Sequence, residues 1–197
     1  MAHVTLDALL TDIRACRACA PELTHEPRPV VRVTADTRLL ICGQAPGRKV
    51  HESGLPFDDA SGDRLRDWLG VDRETFYGHP AIGVAAMAFC FPGTNPKGGD
   101  YPPPPRCARL WRSSLIAALP KVELTLLVGW HAQLWALGAR ARPTMTETVA
   151  AWRDYLPAQL ALPHPSWRNT AWLRRNGWFE DEVVPYLRAR TTEMLAV

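Results

Sequence analysis

Two hydrophobic periods alternate along the chain. Leu6, Leu9, Leu10 and Ile13 recur at helical spacing and predict an N-terminal helix. The run "RLLICG" (38–43) is instead unbroken and stops at Gly43, as a buried strand does. Three further runs read as strands: "AIGVAAMAF" (81–89), "ELTLLVG" (123–129) and "QLALPHPS" (159–166), the last entering a Pro-rich turn. Between them lie helical patterns. Residues 61–70 take Ser61 as N-cap and close at Gly70, with Asp59 as the competing cap. Residues 107–119 stop at Pro120, and further helices are predicted over 131–138 and 146–156. A closing helix covers 180–195, with Pro185 tolerable only near its start or at a kink. Phe91 to Arg106 is a Pro/Gly loop.

Strands alternating with helices predict an α/β fold: a three-layer α/β/α arrangement around a mostly parallel four-stranded sheet. No repeat or long linker divides residues 1–197, so one domain is expected. Ligands of such sheets sit beyond the carboxyl ends of the strands. Two loops of unusual composition fall there, "GQAPGRKVHESGLPF" after the first strand and "HPSWRN" after the last.

Composition changes this picture little. A net charge of +3 is compatible with a nucleic-acid partner without arguing for one. No run approaches the ~20 apolar residues of a membrane span, and the first sixteen residues carry Asp7, Asp12 and Arg14 rather than a signal-peptide core. A cytoplasmic monomer is the expectation. The five cysteines matter more. Cys16 and Cys19 form a C-x-x-C pair, Cys90 and Cys107 flank the Pro/Gly loop, and Cys42 sits inside the first strand as core. Spacing leaves two readings of the four outside the strand: ligands of a zinc or iron–sulfur site, or scattered buried thiols.

Cysteines and loops together resemble the uracil-DNA glycosylase superfamily, and within it the iron–sulfur branch. The residues that carry the likeness are Cys16, Cys19, Cys90 and Cys107, the turn Gly43-Gln44-Ala45-Pro46-Gly47, the loop Gly54-Leu55-Pro56-Phe57, and the turn His164-Pro165-Ser166. The resemblance implies a base flipped out of DNA into a pocket, since the glycosidic bond is unreachable inside the stack. It implies that Phe57 stacks on uracil, that His164 stabilises the departing uracil anion, and that Gly43, Gln44, Ala45 and Ser166 contact base and sugar. Arg168 falls at the duplex wedge position, beside Trp167, a stacking platform or a packing residue. The four cysteines would hold a structural 4Fe-4S cluster, and no catalytic metal is implied.

The chain also departs from that pattern. Gln44 stands where the iron–sulfur branch has Glu, Ala45 where the best-known branch has a catalytic Asp, and Ala86 where the iron–sulfur branch has a base-reading Asn. Asn95 is a candidate substitute for that Asn. Gln44 can orient a water or bind uracil, but it cannot serve as a general base. His51 has a suitable ordinary pKa for acid–base work, the alternative being an exposed loop histidine. Lys97, Arg106, Arg109 and Arg112 give the Pro/Gly segment a positive bias suited to phosphates. The expected activity is removal of uracil from DNA, leaving an abasic site. The alternatives are a protein that binds uracil- or abasic-site DNA with little turnover, and a redox sensor using the cysteines.

Overall fold

The structure, a computed structural model, describes residues 5–196; the first four residues and the last lie outside it. Its sheet has four strands, β1 (Leu39–Cys42), β2 (Ile82–Val84), β3 (Leu124–Val128) and β4 (Gln159–Leu162), in the order β2-β1-β3-β4. All pairs are parallel, with Ile41 opposite Val84 on one side and Leu126 on the other. The arrangement is the expected α/β/α sandwich.

Strand β1 shows why its run is unbroken. Leu39, Ile41 and Cys42 contact one hydrophobic cluster, while Leu40 contacts the other. A parallel strand covered on both faces has no solvent side to mark with polar residues. Each fully buried leucine stabilises the fold by about 1.5–3 kcal/mol. One face is covered by α3 (Ala60–Leu69), α7 (Met145–Ala150) and α9 (Val184–Leu195), the other by α1 (Leu6–Ala15) and α5 (Pro105–Ala117).

Several predicted boundaries change for local reasons. The strand expected over 81–89 ends at Val84, because the next carbonyls turn away: Ala85 and Ala86 accept from the Arg112 guanidinium at 2.9 and 3.0 Å. Asp59 rather than Ser61 caps α3, accepting the Gly62 N–H at 2.9 Å. The helix expected over 146–156 breaks after Ala150 into a 3₁₀ turn, Trp152–Tyr155. The last helix begins with a wide π turn, Phe179–Val183, before Pro185 near the start of α9, a position that tolerates the missing N–H. Three short helices escape the periodicity: α2 (Arg48–Ser53), α4 (Arg73–Gly78) and α8 (Thr170–Arg175). Six residues give too few turns for a hydrophobic stripe to register. The remaining helix, α6 (Trp130–Leu137), follows β3 directly.

Candidate active site

The strand order reverses beside β1: the chain steps outward to β2, then crosses back to β3. A crevice opens at such a switch point, between the carboxyl ends of the two strands. Gly43 leaves β1 there and Gly129 leaves β3. Gly129 has φ of +85°, and a Cβ on it would lie 3.4 Å from the Cβ of His164. Glycine therefore lets the β4 turn close onto the β3 turn.

The first turn is stitched to the segment after β2. The carbonyls of Ile41, Gly43 and Gln44 accept from the N–H groups of Ala85, Met87 and Ala88 at 2.9, 2.9 and 3.1 Å. Ala45 packs toward the cluster under α1 and α5. The Gln44 side-chain amide donates to the Tyr101 carbonyl at 3.2 Å, so it faces the Pro/Gly loop.

Phe57 stands over Gly43, where an added Cβ would touch its ring at 3.5 Å. It is the one non-glycine residue with positive φ among those described, at 56°. A bulky side chain there is strained, and such strain persists only where the surroundings hold it. They do so here at several points. The Phe57 carbonyl accepts from buried Arg66 at 3.2 Å, and the Pro56 carbonyl from the Tyr77 hydroxyl at 2.9 Å. Asp58 pairs with Arg73 at 2.8 Å, which holds its carboxyl below the usual carboxylate range. Gly62 completes the clamp: a Cβ on it would fall 1.8 Å from the Phe57 carbonyl oxygen.

Helix α3 also reaches the second turn. Arg64 donates to the Ser166 carbonyl at 3.0 Å and to the Thr170 hydroxyl at 3.3 Å. The His164 carbonyl accepts from the Asn169 amide at 2.7 Å. The Ser166 N–H donates to Nδ1 of His164 at 3.2 Å, so the neutral ring carries its proton on Nε2. Burial lowers the pKa of His164, with the Asp59 charge opposing. The imidazole is thus neutral at physiological pH and offers an N–H. It also lines an open cleft with Gly129, Trp130, Thr144, Met145 and Asn169.

Other predicted residues lie outside the two turns. The His51 ring packs 4.6 Å from His25, centroid to centroid, and 5.9 Å from Phe91; its Nδ1 is buried without a hydrogen-bond partner among the described residues. Burial, His25 and Arg28 lower its pKa. Asn95 accepts the Lys97 N–H at 2.9 Å and shapes the tip of the Pro/Gly loop, where Lys97 is exposed. Trp167 is 75% exposed, and the Arg168 guanidinium lies 5.7 Å from the centre of its ring. Arg168 also folds across Gly99, where an added Cβ would meet its Nη1 at 2.8 Å. Arg112, expected on a phosphate-facing surface, is 2% exposed: it serves the Ala85 and Ala86 carbonyls and lies over Trp135. Arg106 pairs with Glu22 at 2.9 Å.

Among the described residues no group of three or more His, Cys, Asp or Glu has the geometry of a bound metal ion. Cys16, Cys19, Cys90 and Cys107 nevertheless line one apolar cavity, together with Ile13 and Trp111. Each lies within electrostatic reach of the others, whereas Cys42 is fully buried in the core as expected. The Phe89 N–H donates to Cys107 at 3.4 Å, and the Arg28 backbone donates to Cys90. Burial and the neighbouring thiols push Cys90 up to about 12; burial chiefly pushes Cys107 to about 11. Four thiols lining one cavity, two of them accepting N–H groups at sulfur, are the donor chemistry of a thiolate-ligated group. Arg28 ties this cavity to α2, its guanidinium donating to the His51 and Glu52 carbonyls at 2.6 Å each.

Hydropathy gives no sign of Arg64, Arg66 or Tyr77, which act through side-chain hydrogen bonds to carbonyls outside their own helices. The glycines at 62 and 129 were readable only as helix and strand punctuation. The geometry described above, two glycine-bordered turns at a switch point with an aromatic ring over one and an imidazole on the other, coincides with a family match. Residues 31–188 fit the family model described as the Uracil DNA glycosylase superfamily, a stretch that holds all four strands and both turns, and the chain belongs to that superfamily.

Proposed function

We propose that the protein is a uracil-DNA glycosylase, hydrolysing the N-glycosidic bond of a flipped deoxyuridine and leaving an abasic site. The observation that carries this reading is the presence of Phe57, on a strained backbone at one loop, and the neutral Nε2–H of His164 at the second turn, with that loop and that turn both bonded to α3. An aromatic face at a fixed height suits a planar base. A preorganised N–H suits the negative charge that develops on the base as the bond breaks. The Gly43, Gln44, Ala45 and Ser166 positions line the two turns that would hold base and sugar. Trp167, exposed on the rim, suits the gap left in the duplex by the flipped base, while Arg168 and Lys97 suit phosphates.

Cys16, Cys19, Cys90 and Cys107 would hold a 4Fe-4S cluster. Such a group would crosslink the segment after α1, the segment after β2 and the start of α5, bracing the Pro/Gly loop. Anaerobically prepared protein containing iron and labile sulfide supports this; zinc instead opposes it.

The activity is tested on a single-uracil oligonucleotide, single- and double-stranded. Alkali-labile breaks at the uracil, accumulating beyond one per enzyme, are the expected result. A mobility shift with intact strands would instead identify a binding protein.

A further inference from the structure

Two carboxylates stand at the mouth of the site, Asp59 and Asp100. Asp59 is committed to the α3 cap through the Gly62 N–H. Asp100 comes from the other side, on the Pro/Gly loop. Its Oδ2 lies 3.6 Å from where a Cβ on Gly47 would stand, at the end of the first turn. The next residue, Tyr101, receives the Gln44 amide, so loop and turn are joined there. Arg48, Arg168 and Asp59 are the charges that face Asp100, from α2, the β4 turn and the α3 cap. Partial burial and the Asp59 charge hold its carboxyl above the usual carboxylate range against the two guanidiniums.

Hydrolysis at this site needs a proton acceptor. The oxygen of water bonds to C1′ of the sugar, the C1′–N bond breaks with its electron pair going to the base, and the water must lose a proton. Gln44 cannot take it. His164 presents an N–H, and its Nδ1 lone pair is occupied by Ser166. The His51 ring faces His25 and Phe91. We propose that Asp100 is the general base of this site, orienting the attacking water and accepting its proton, and that it supplies from the Pro/Gly loop the carboxylate the first turn lacks. The proposal rests on the uracil-excision reading. Asp100 then returns the proton to solvent and the uracil anion acquires one, so each turnover consumes one water. The negative carboxylate also faces the positive charge that develops on the sugar.

The test compares wild type, Asp100→Asn, Asp100→Glu and Asp59→Asn in single-turnover excision from a single-uracil duplex across pH. Affinity for a duplex carrying a tetrahydrofuran abasic analogue is measured alongside. Asp100→Asn should slow excision by ~100-fold or more, the scale of a lost general base, and change analogue affinity by less than about threefold. It should also abolish the fall in wild-type rate on the acid side, and Asp100→Glu should recover part of the loss. Asp100→Asn excising within about threefold of wild type overturns the proposal while leaving the glycosylase reading intact. A loss confined to Asp59→Asn overturns it too and transfers the role to that residue. Wild-type protein that binds but never releases uracil overturns the glycosylase reading, and the role of Asp100 with it.

Discussion

The two loops facing each other across the mouth of the site are held by different means. The Gly54–Asp59 loop is clamped from outside itself: Arg66, Tyr77 and Arg73 grip three successive residues, and Asp59 caps α3. The Pro/Gly loop is paired to itself. Thr94 bridges Asp100, the Asn95 N–H donates to Gly99 and the Tyr101 N–H to Gly93, with Gly93, Gly98 and Gly99 at positive φ. Side-chain clamps fix one ring at one height. Backbone pairing around glycines leaves side chains that reach solvent, Lys97 and the partly covered Asp100 among them, to meet whatever arrives. The first design suits recognition of a rigid planar group, the second suits charge placement.

The clamped loop is most vulnerable at Gly62. Gly62→Ala forces the helix away from the Phe57 carbonyl, and overpacking of this kind costs about 1–3 kcal/mol in denaturant unfolding. Excision should fall by ~100-fold, since displacing a stacking group by an ångström is enough for that. Unchanged unfolding and excision would mean that the loop is not clamped. Next comes His164→Ala, expected to slow excision by ~100- to 1,000-fold, the scale of one lost donor to a developing anion. Stability should change by less than about 1 kcal/mol, because His164 is only partly buried.

The two sides also respond oppositely to pH. Burial depresses the pKa of His51, His131 and His164 in the folded chain, so the unfolded chain binds more protons below the ordinary histidine value. Stability should therefore rise with pH up to about 6.5 and flatten above it. The raised carboxyl of Asp100 works the other way: the folded state holds its proton longer, so its contribution falls as pH rises past about 3.9. Unfolding measured against pH in wild type, His164→Asn and Asp100→Asn separates the slopes. His164→Asn should flatten the first, and an unaltered slope would contradict a half-buried neutral ring. The smallest effect belongs to Lys97→Ala. Stability should stay within about 0.5 kcal/mol of wild type, while the salt dependence of DNA affinity drops by about one ion. An unchanged salt slope would remove Lys97 from the DNA face.

Much of this fold was legible because its strands are uniform. Runs such as Leu39–Cys42 and Leu124–Val128 can only be buried, and their alternation with helices admits few sheets. The two turns were legible as motifs, and the structure brings both to one edge of the sheet. Other features had no local signature. Arg112 reads as a surface cation beside Arg109 but points inward, where two carbonyls leaving β2 require a donor. Arg64 and Arg66 sit on α3 with nothing in the local pattern to mark them, and their backbone partners are 102 and 9 residues away in sequence. Asp100 sits in a Pro/Gly stretch that reads as a connector. Its place beside Gly47 follows from how the loop folds back, which composition does not encode.

The claim that the clamped ring and the neutral imidazole form a uracil-excising site is tested most directly by mass-spectrometric measurement of free uracil released from single-uracil DNA. Wild type and His164→Ala should be run at matched DNA occupancy. Free uracil should appear in molar excess over wild-type enzyme, with little from the variant. Equal release from both, or none from either while the DNA stays bound, would contradict it.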